Sequence, residues 1–66
     1  MTITLNGELR DVGDGTTLGA LMTELTGSTR GSAAVVDGAV VPRREWPEFA
    51  LRDGQVVELI TAVQGG

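Results

Sequence analysis

Only one stretch of this chain repeats its apolar residues at the helical period. Leu18, Leu21, Met22 and Leu25 fall at i, i+3, i+4 and i+7, one stripe along one face of a helix. Thr16 or Thr17 is placed to cap its start, where the first N–H groups lack intrahelical partners. Gly27 suits the left-handed position just past its end. A helix of about two and a half turns does not persist alone in water. Its stripe must be buried against something else, and a chain of 66 residues with no second such stripe offers only a sheet. A stripe of Leu and Met in this setting is core, not a ligand site.

The strands are read from alternation and turn chemistry. Thr2-Ile3-Thr4-Leu5 alternates polar and apolar with β-branched residues, the pattern of a half-buried strand. Asn6-Gly7 then suits a two-residue type I′ turn, where both central residues need positive φ. Glu8-Leu9-Arg10-Asp11-Val12 follows as a return strand, weak by propensity because Asp is depleted in strands. Gly13-Asp14-Gly15 breaks the pattern. After the helix, residues 28–32 read as a polar loop and Ala33-Ala34-Val35-Val36 as a buried strand. Asp37-Gly38 is a second type I′ signal. Val40-Val41 continues briefly until Pro42, which lacks the N–H a ladder needs.

Residues 43–51 read as irregular, with a single helical turn before Pro47. Trp46, Phe49 and Leu51 are expected to fold back as a satellite of the core, Trp46 for packing rather than recognition. Arg52-Asp53-Gly54 is a turn leading into Gln55-Val56-Val57-Glu58-Leu59-Ile60-Thr61, the longest β-prone run. In that run Glu58 shares a face with Val56 and Ile60. A face carrying a carboxylate is the costlier one to bury, so Val57 and Leu59 are assigned to the core. Val56 and Ile60 then lie outside, either as ordinary exposed aliphatics or as a docking patch for a partner.

The order is hairpin, helix, then three strands with a hairpin-like middle. A ferredoxin-like arrangement needs a second long helix, which is absent. The first and last strands carry the strongest alternation and are expected side by side and parallel at the sheet centre. The expected fold class is therefore α+β, a β-grasp (ubiquitin-like) fold. It has a mixed four- to five-stranded sheet and one main helix packed across it. Residues 1–61 form the β-grasp domain and residues 62–66 a flexible C-terminal tail.

Composition removes several kinds of activity. There is no Cys and no His, which excludes disulfides, a zinc site of the usual ligands, a Cys nucleophile and a Ser–His pair. All five cationic side chains are Arg and the formal net charge is −4, which argues against nucleic-acid binding. No base–nucleophile spacing emerges, so no catalytic residue and no metal ligand is assigned. No signal peptide and no membrane-spanning run is visible, and a cytoplasmic protein, monomeric when free, is expected.

The chain ends Ala62-Val63-Gln64-Gly65-Gly66. Glycine lacks a Cβ and so makes a thin segment with wide backbone freedom. Such a tail can thread a narrow channel and place the Gly66 carboxylate beside a nucleotide. Five extended residues reach at most ~16–18 Å, enough to enter a buried site while the folded body stays outside.

In this order the segments resemble the sulfur-carrier proteins of thiamine biosynthesis, the ThiS family within the ubiquitin-like β-grasp proteins. The resemblance covers essentially the whole length. It rests on Ile3-Thr4-Leu5-Asn6-Gly7-Glu8 and Gly15-Thr16-Thr17-Leu18, and on Asp37-Gly38 with Val40-Val41-Pro42-Arg43 and Trp46. It continues through Asp53-Gly54 before Val56-Val57-Glu58 and closes on Thr61-Ala62-Val63-Gln64-Gly65-Gly66. Relatives more often have Asn at the position of Asp37, which keeps the turn chemistry. They more often have Ala at that of Gln64, where this chain puts a polar side chain into the tail.

The resemblance implies that Gly66 is the covalently modified residue, adenylated and then converted to a thiocarboxylate. Gly65, Gln64 and Val63 would thread the partner's channel. No cofactor is bound by the chain itself; ATP and Mg²⁺ would be used by an adenylating enzyme of the ThiF type. A persulfide donor such as a cysteine desulfurase would supply sulfur, and a thiazole synthase of the ThiG type would receive it. The nearest rival is the molybdopterin-synthase small subunit, which usually is longer and approaches its tail through aromatic and proline residues. Here the approach is Leu59-Ile60-Thr61-Ala62-Val63, which favours the thiamine branch. A carrier serving another sulfur metabolite is a further alternative, and a ubiquitin-like protein modifier and a plain interaction module with an idle tail are rivals from other classes.

Overall fold

The computed structural model describes residues 1–26 and 32–61. β1 (Thr2–Leu5) and β2 (Glu8–Asp11) form the first hairpin, in which Leu5 faces Glu8 across the turn. Asn6 and Gly7 have φ of 49° and 85°, the two positive values a type I′ turn requires. After α1 (Leu18–Thr26), β3 (Ser32–Val36) and β4 (Ala39–Val41) repeat the device around Asp37 (φ 50°) and Gly38 (φ 84°). A 3₁₀ segment (Arg43–Glu48) crosses back and β5 (Val56–Thr61) completes the sheet.

The sheet has five strands in the order β2-β1-β5-β3-β4. β5 lies at its centre, parallel to β1 and antiparallel to β3. The expected adjacency of first and last strands therefore holds. One face of the sheet carries Ile3, Leu5, Ala34, Val36, Val41 and Val57, all buried, and they form one cluster with Leu18, Leu21 and Met22 of α1. Val57 is completely buried and Leu59 is packed against the cluster, as the position of Glu58 on the other face implies. No polar or charged residue is buried among the described residues.

The helix start is held twice. The Thr17 hydroxyl accepts from the Ala20 N–H at 3.1 Å, so Thr17 is the cap; Thr16 instead donates its hydroxyl to the Gly13 carbonyl. The backbone of Thr16 and Leu18 is bonded to Leu51 and Phe49, at 2.9 and 2.8 Å. Gly19 permits a close crossing at this point. A Cβ built there would stand 3.2–3.3 Å from the backbone of Trp46 and Pro47.

Four expectations are corrected. Leu25 is 38% exposed: it lies in the last turn of α1, outside the cluster that takes in Leu18, Leu21 and Met22. β3 is not buried throughout: Ala34 and Val36 are, whereas Ala33 is exposed and Val35 intermediate, since the strand alternates over a sheet covered on one face. The single turn before Pro47 is a 3₁₀ segment that includes Pro47, and its ladder is kept by bonds on either side, Glu45 N–H to Pro42 O and Phe49 N–H to Trp46 O. Finally, Trp46 and Leu51 belong to the main core, with only Phe49 peripheral. Trp46 is 1% exposed and its indole N–H donates to the Val41 carbonyl at 2.8 Å. Its role is packing, and the hydrogen bond meets the need of a buried N–H. Gly27 and residues 28–31 of the expected loop lie outside the described residues, and Ser32, the expected end of that loop, is the first residue of β3.

Candidate functional site

Residues 62–66 follow the central strand in sequence, and the two type I′ turns fasten that strand from opposite sides. On the β1 side, residue pairing covers Thr4 with Val56 and Leu5 with Val57. β1 then turns away, but the Asn6 side chain adds one more rung: its Oδ1 accepts from the Leu59 N–H at 2.8 Å. On the β3 side, the Asp37 carboxylate accepts from the Val56 N–H at 2.9 Å and from the Gln55 amide at 3.3 Å. β3 pairs with β5 along its whole length, from Val36 with Val57 to Ser32 with Thr61. The start of β5 is tied to β1 as well: the Thr2 N–H donates to Asp53 Oδ1 and the Gly54 N–H to the Thr2 carbonyl, each at 2.7 Å. Residues 62–66 thus follow a strand held at both edges as far as Leu59 and, among the described residues, by β3 alone at Ile60 and Thr61. Backbone bonds to two neighbours make such a strand resistant to local opening.

Of the residues assigned to function from the sequence, Val63, Gln64, Gly65 and Gly66 lie outside the described residues. Val56 and Ile60 are 45% and 56% exposed and stand together on the face of the sheet opposite α1. The sequence reading missed two residues of this face, Leu9 and Val40, which are 80% and 71% exposed. Turn register gives the pairing of both, and makes Leu9 legible from the sequence. A two-residue turn at Asn6-Gly7 pairs Leu5 with Glu8, hence Thr4 with Leu9; the turn at Asp37-Gly38 likewise pairs Val35 with Val40. Thr4 is a polar position of the first strand, so Leu9 follows outward from it; Val35 reads as buried in the sequence, and the outward placement of Val40 follows only from the alternation of β3 in the structure.

The pairings order the outer face into rows. Leu9, Thr4 and Val56 form one, Val40, Val35 and Glu58 the next, Ala33 and Ile60 a third. Four large exposed aliphatics on one helix-free sheet face are more than singly scattered surface residues. A concavity of about 650 Å³ between α1 and the 3₁₀ segment is lined by Thr17, Gly19, Ala20, Thr23, Glu24, Arg43, Trp46 and Pro47. It lies on the helix layer, and none of these residues belongs to the outer face. Among the described residues no group of three acidic side chains could hold a metal ion, and no helix is long and apolar enough to cross a membrane. The chemistry this arrangement offers is presentation: a fixed body, an apolar face and a strand that runs on into residues 62–66.

Comparison with known proteins agrees in sequence and shape. The ThiS family model matches residues 3–66, through the di-glycine. The sulfur carrier protein ThiS of Thermus thermophilus is 37% identical over 62 residues, covering 94% of this chain and 95% of its own. That of Escherichia coli K12 is 27% identical over the full length of both. The crystal structure of the thiamine biosynthesis protein ThiS from Geobacter metallireducens superposes with a TM-score of 0.83 over all of both chains at 23% identity, and its solution structure with 0.79. At that identity the likeness establishes the fold, which is the β-grasp. The chain belongs to the ThiS family, whose matched members are sulfur carrier proteins and not enzymes.

Proposed function

We propose that this protein is a sulfur carrier for the thiazole moiety of thiamine, acting in the cytoplasm through a thiocarboxylate on Gly66. The observation that carries the reading is the family match running to Gly66, on a fold whose central strand leads directly into residues 62–66. A carboxylate is a poor electrophile: its charge is delocalised and its leaving group is oxide. Joining it to AMP, with release of pyrophosphate from ATP, makes the carbonyl electrophilic and supplies a good leaving group. An adenylating partner of the ThiF type performs that step with ATP and Mg²⁺. The terminal sulfur of a persulfide then displaces AMP, and a thiol cleaves the remaining S–S bond to release the thiocarboxylate. Its soft sulfur nucleophile is delivered to a thiazole synthase of the ThiG type.

The chain's own residues contribute positioning. Val63, Gln64 and Gly65 thread the channel, and holding Gly66 at the reacting centre turns an encounter in solution into an oriented reaction. Val56 and Ile60, with Leu9 and Val40 beside them, form the face on which the partner seats. The test is to incubate the chain with the adenylating enzyme of the same genome, ATP and a sulfide source, and to weigh it. A gain equal to one oxygen replaced by sulfur on the C-terminal peptide is expected. An unchanged mass, or conjugates of higher mass in the cell, would overturn the reading.

A further inference from the structure

Glu58 stands out on the outer face. It is an exposed carboxylate with Val56 before it and Ile60 after it on the same side of β5, and Val35 directly across on β3, with Val40 beyond. Ion pairs join the Met1 ammonium to Asp14 and Arg10 to Glu24, neither of them involving Glu58. Among the described residues, Glu58 has no side-chain hydrogen bond or salt bridge.

A partner that covers these aliphatics must also strip water from the carboxylate they surround. An ionised carboxylate moved out of water without a counter-charge is strongly disfavoured. Desolvation of an unpaired Glu58 would therefore offset much of what the aliphatics contribute. We propose that Glu58 is a specificity-determining residue of this face, read by an arginine or lysine that the adenylating partner presents from within an otherwise apolar surface. The inference rests on the sulfur-carrier reading for the identity of that partner. Charge complementarity selects the occupant: an uncharged apolar surface, or a second copy of this face with its own Glu58, would bury a carboxylate with nothing to meet it. The pair governs which enzyme takes the tail, and leaves the chemistry at Gly66 to the partner.

The experiment measures the Kd of the full chain for the adenylating enzyme of the same genome, at two salt concentrations, for the parent chain, Glu58→Gln and Glu58→Leu. ATP–pyrophosphate exchange is run at saturating carrier. Glu58 is exposed, so both variants keep the fold, which unfolding midpoints verify. Expected are Kd values raised roughly tenfold or more in both variants, a weaker salt dependence, and an unchanged exchange rate at saturation. Glu58→Leu separates the alternatives most sharply. If the partner's surface is simply apolar, added leucine tightens binding; if a cation faces this position, leucine leaves it buried and unpaired and weakens binding. An unchanged or lower Kd for Glu58→Leu overturns the proposal. A chain lacking Gly65 and Gly66 is the control: exchange that survives that deletion would sink the sulfur-carrier reading itself, whatever Glu58 does.

Discussion

Asn6 Oδ1 accepts the backbone N–H of Leu59 at 2.8 Å, joining a turn near the start of the chain to the strand that carries its end. Asn6 also holds φ at 49°, so one side chain closes a hairpin and extends the parallel ladder. The two roles separate by substitution. Asn6→Gly keeps the turn and loses the hydrogen bond, at a cost of about 1 kcal/mol. Asn6→Ala loses both and costs about 2 kcal/mol. Asn6→Asp keeps an acceptor and stays within about 0.5 kcal/mol of the parent. Urea unfolding midpoints check the order; equal losses for Gly and Ala would show that the turn conformation is irrelevant.

Asp37 plays the matching part on the other edge of β5, taking the N–H of Val56 and the amide of Gln55. Asparagine at this position retains positive φ and an acceptor oxygen. Asp37→Asn is therefore expected to be neutral within about 0.5 kcal/mol, and Asp37→Ala to cost about 2 kcal/mol. Amide hydrogen exchange at Val56 is the local readout, faster in Asp37→Ala and unchanged in Asp37→Asn.

Trp46 fills the core and donates to the Val41 carbonyl at 2.8 Å. Trp46→Phe leaves a smaller ring and a buried acceptor without its donor, with an expected loss of about 2–3 kcal/mol. Trp46→Ala is expected to cost about 3–5 kcal/mol, a large part of the stability of so small a domain. Guanidinium unfolding measures both.

Gly19 sets two effects against each other. Alanine raises helix propensity by about 1 kcal/mol, but its Cβ would meet three backbone atoms of Trp46 and Pro47 at 3.2–3.3 Å. Those atoms belong to a segment anchored by a buried indole and cannot swing aside like the end of a long side chain. Overpacking costs about 1–3 kcal/mol, so Gly19→Ala is expected to destabilise by about 1 kcal/mol net. A higher thermal midpoint in the variant would mean that the crossing relaxes freely.

On the proposed threading of residues 63–65 through a channel of the adenylating partner, Gly65→Val is expected to leave unfolding unchanged and to abolish ATP–pyrophosphate exchange, because a β-branched side chain widens that segment. Normal exchange by this variant would refute threading as the reason for the di-glycine.

Local chemistry in the chain determined its elements and, through them, most of its architecture. Asn6-Gly7 and Asp37-Gly38 admit positive φ, Thr17 supplies a capping oxygen, and one helical stripe among alternating strands leaves a helix-on-sheet arrangement as the means of burying it. The terminal Gly65-Gly66, and the outward placement of Val56 and Ile60 by Glu58, were legible for the same reason: each follows from near neighbours in sequence. Tertiary structure alone decided how distant segments share space. Nothing local to Trp46 says that it enters the main core or that its backbone crosses at Gly19, and nothing in the helical stripe says that Leu25 stays partly exposed. The side-chain rungs from Asn6 to Leu59 and from Asp37 to Val56 likewise join residues 53 and 19 positions apart. Such contacts depend on which surfaces remain to be covered once the strands have paired, a property of the assembled layers and not of any short stretch of residues.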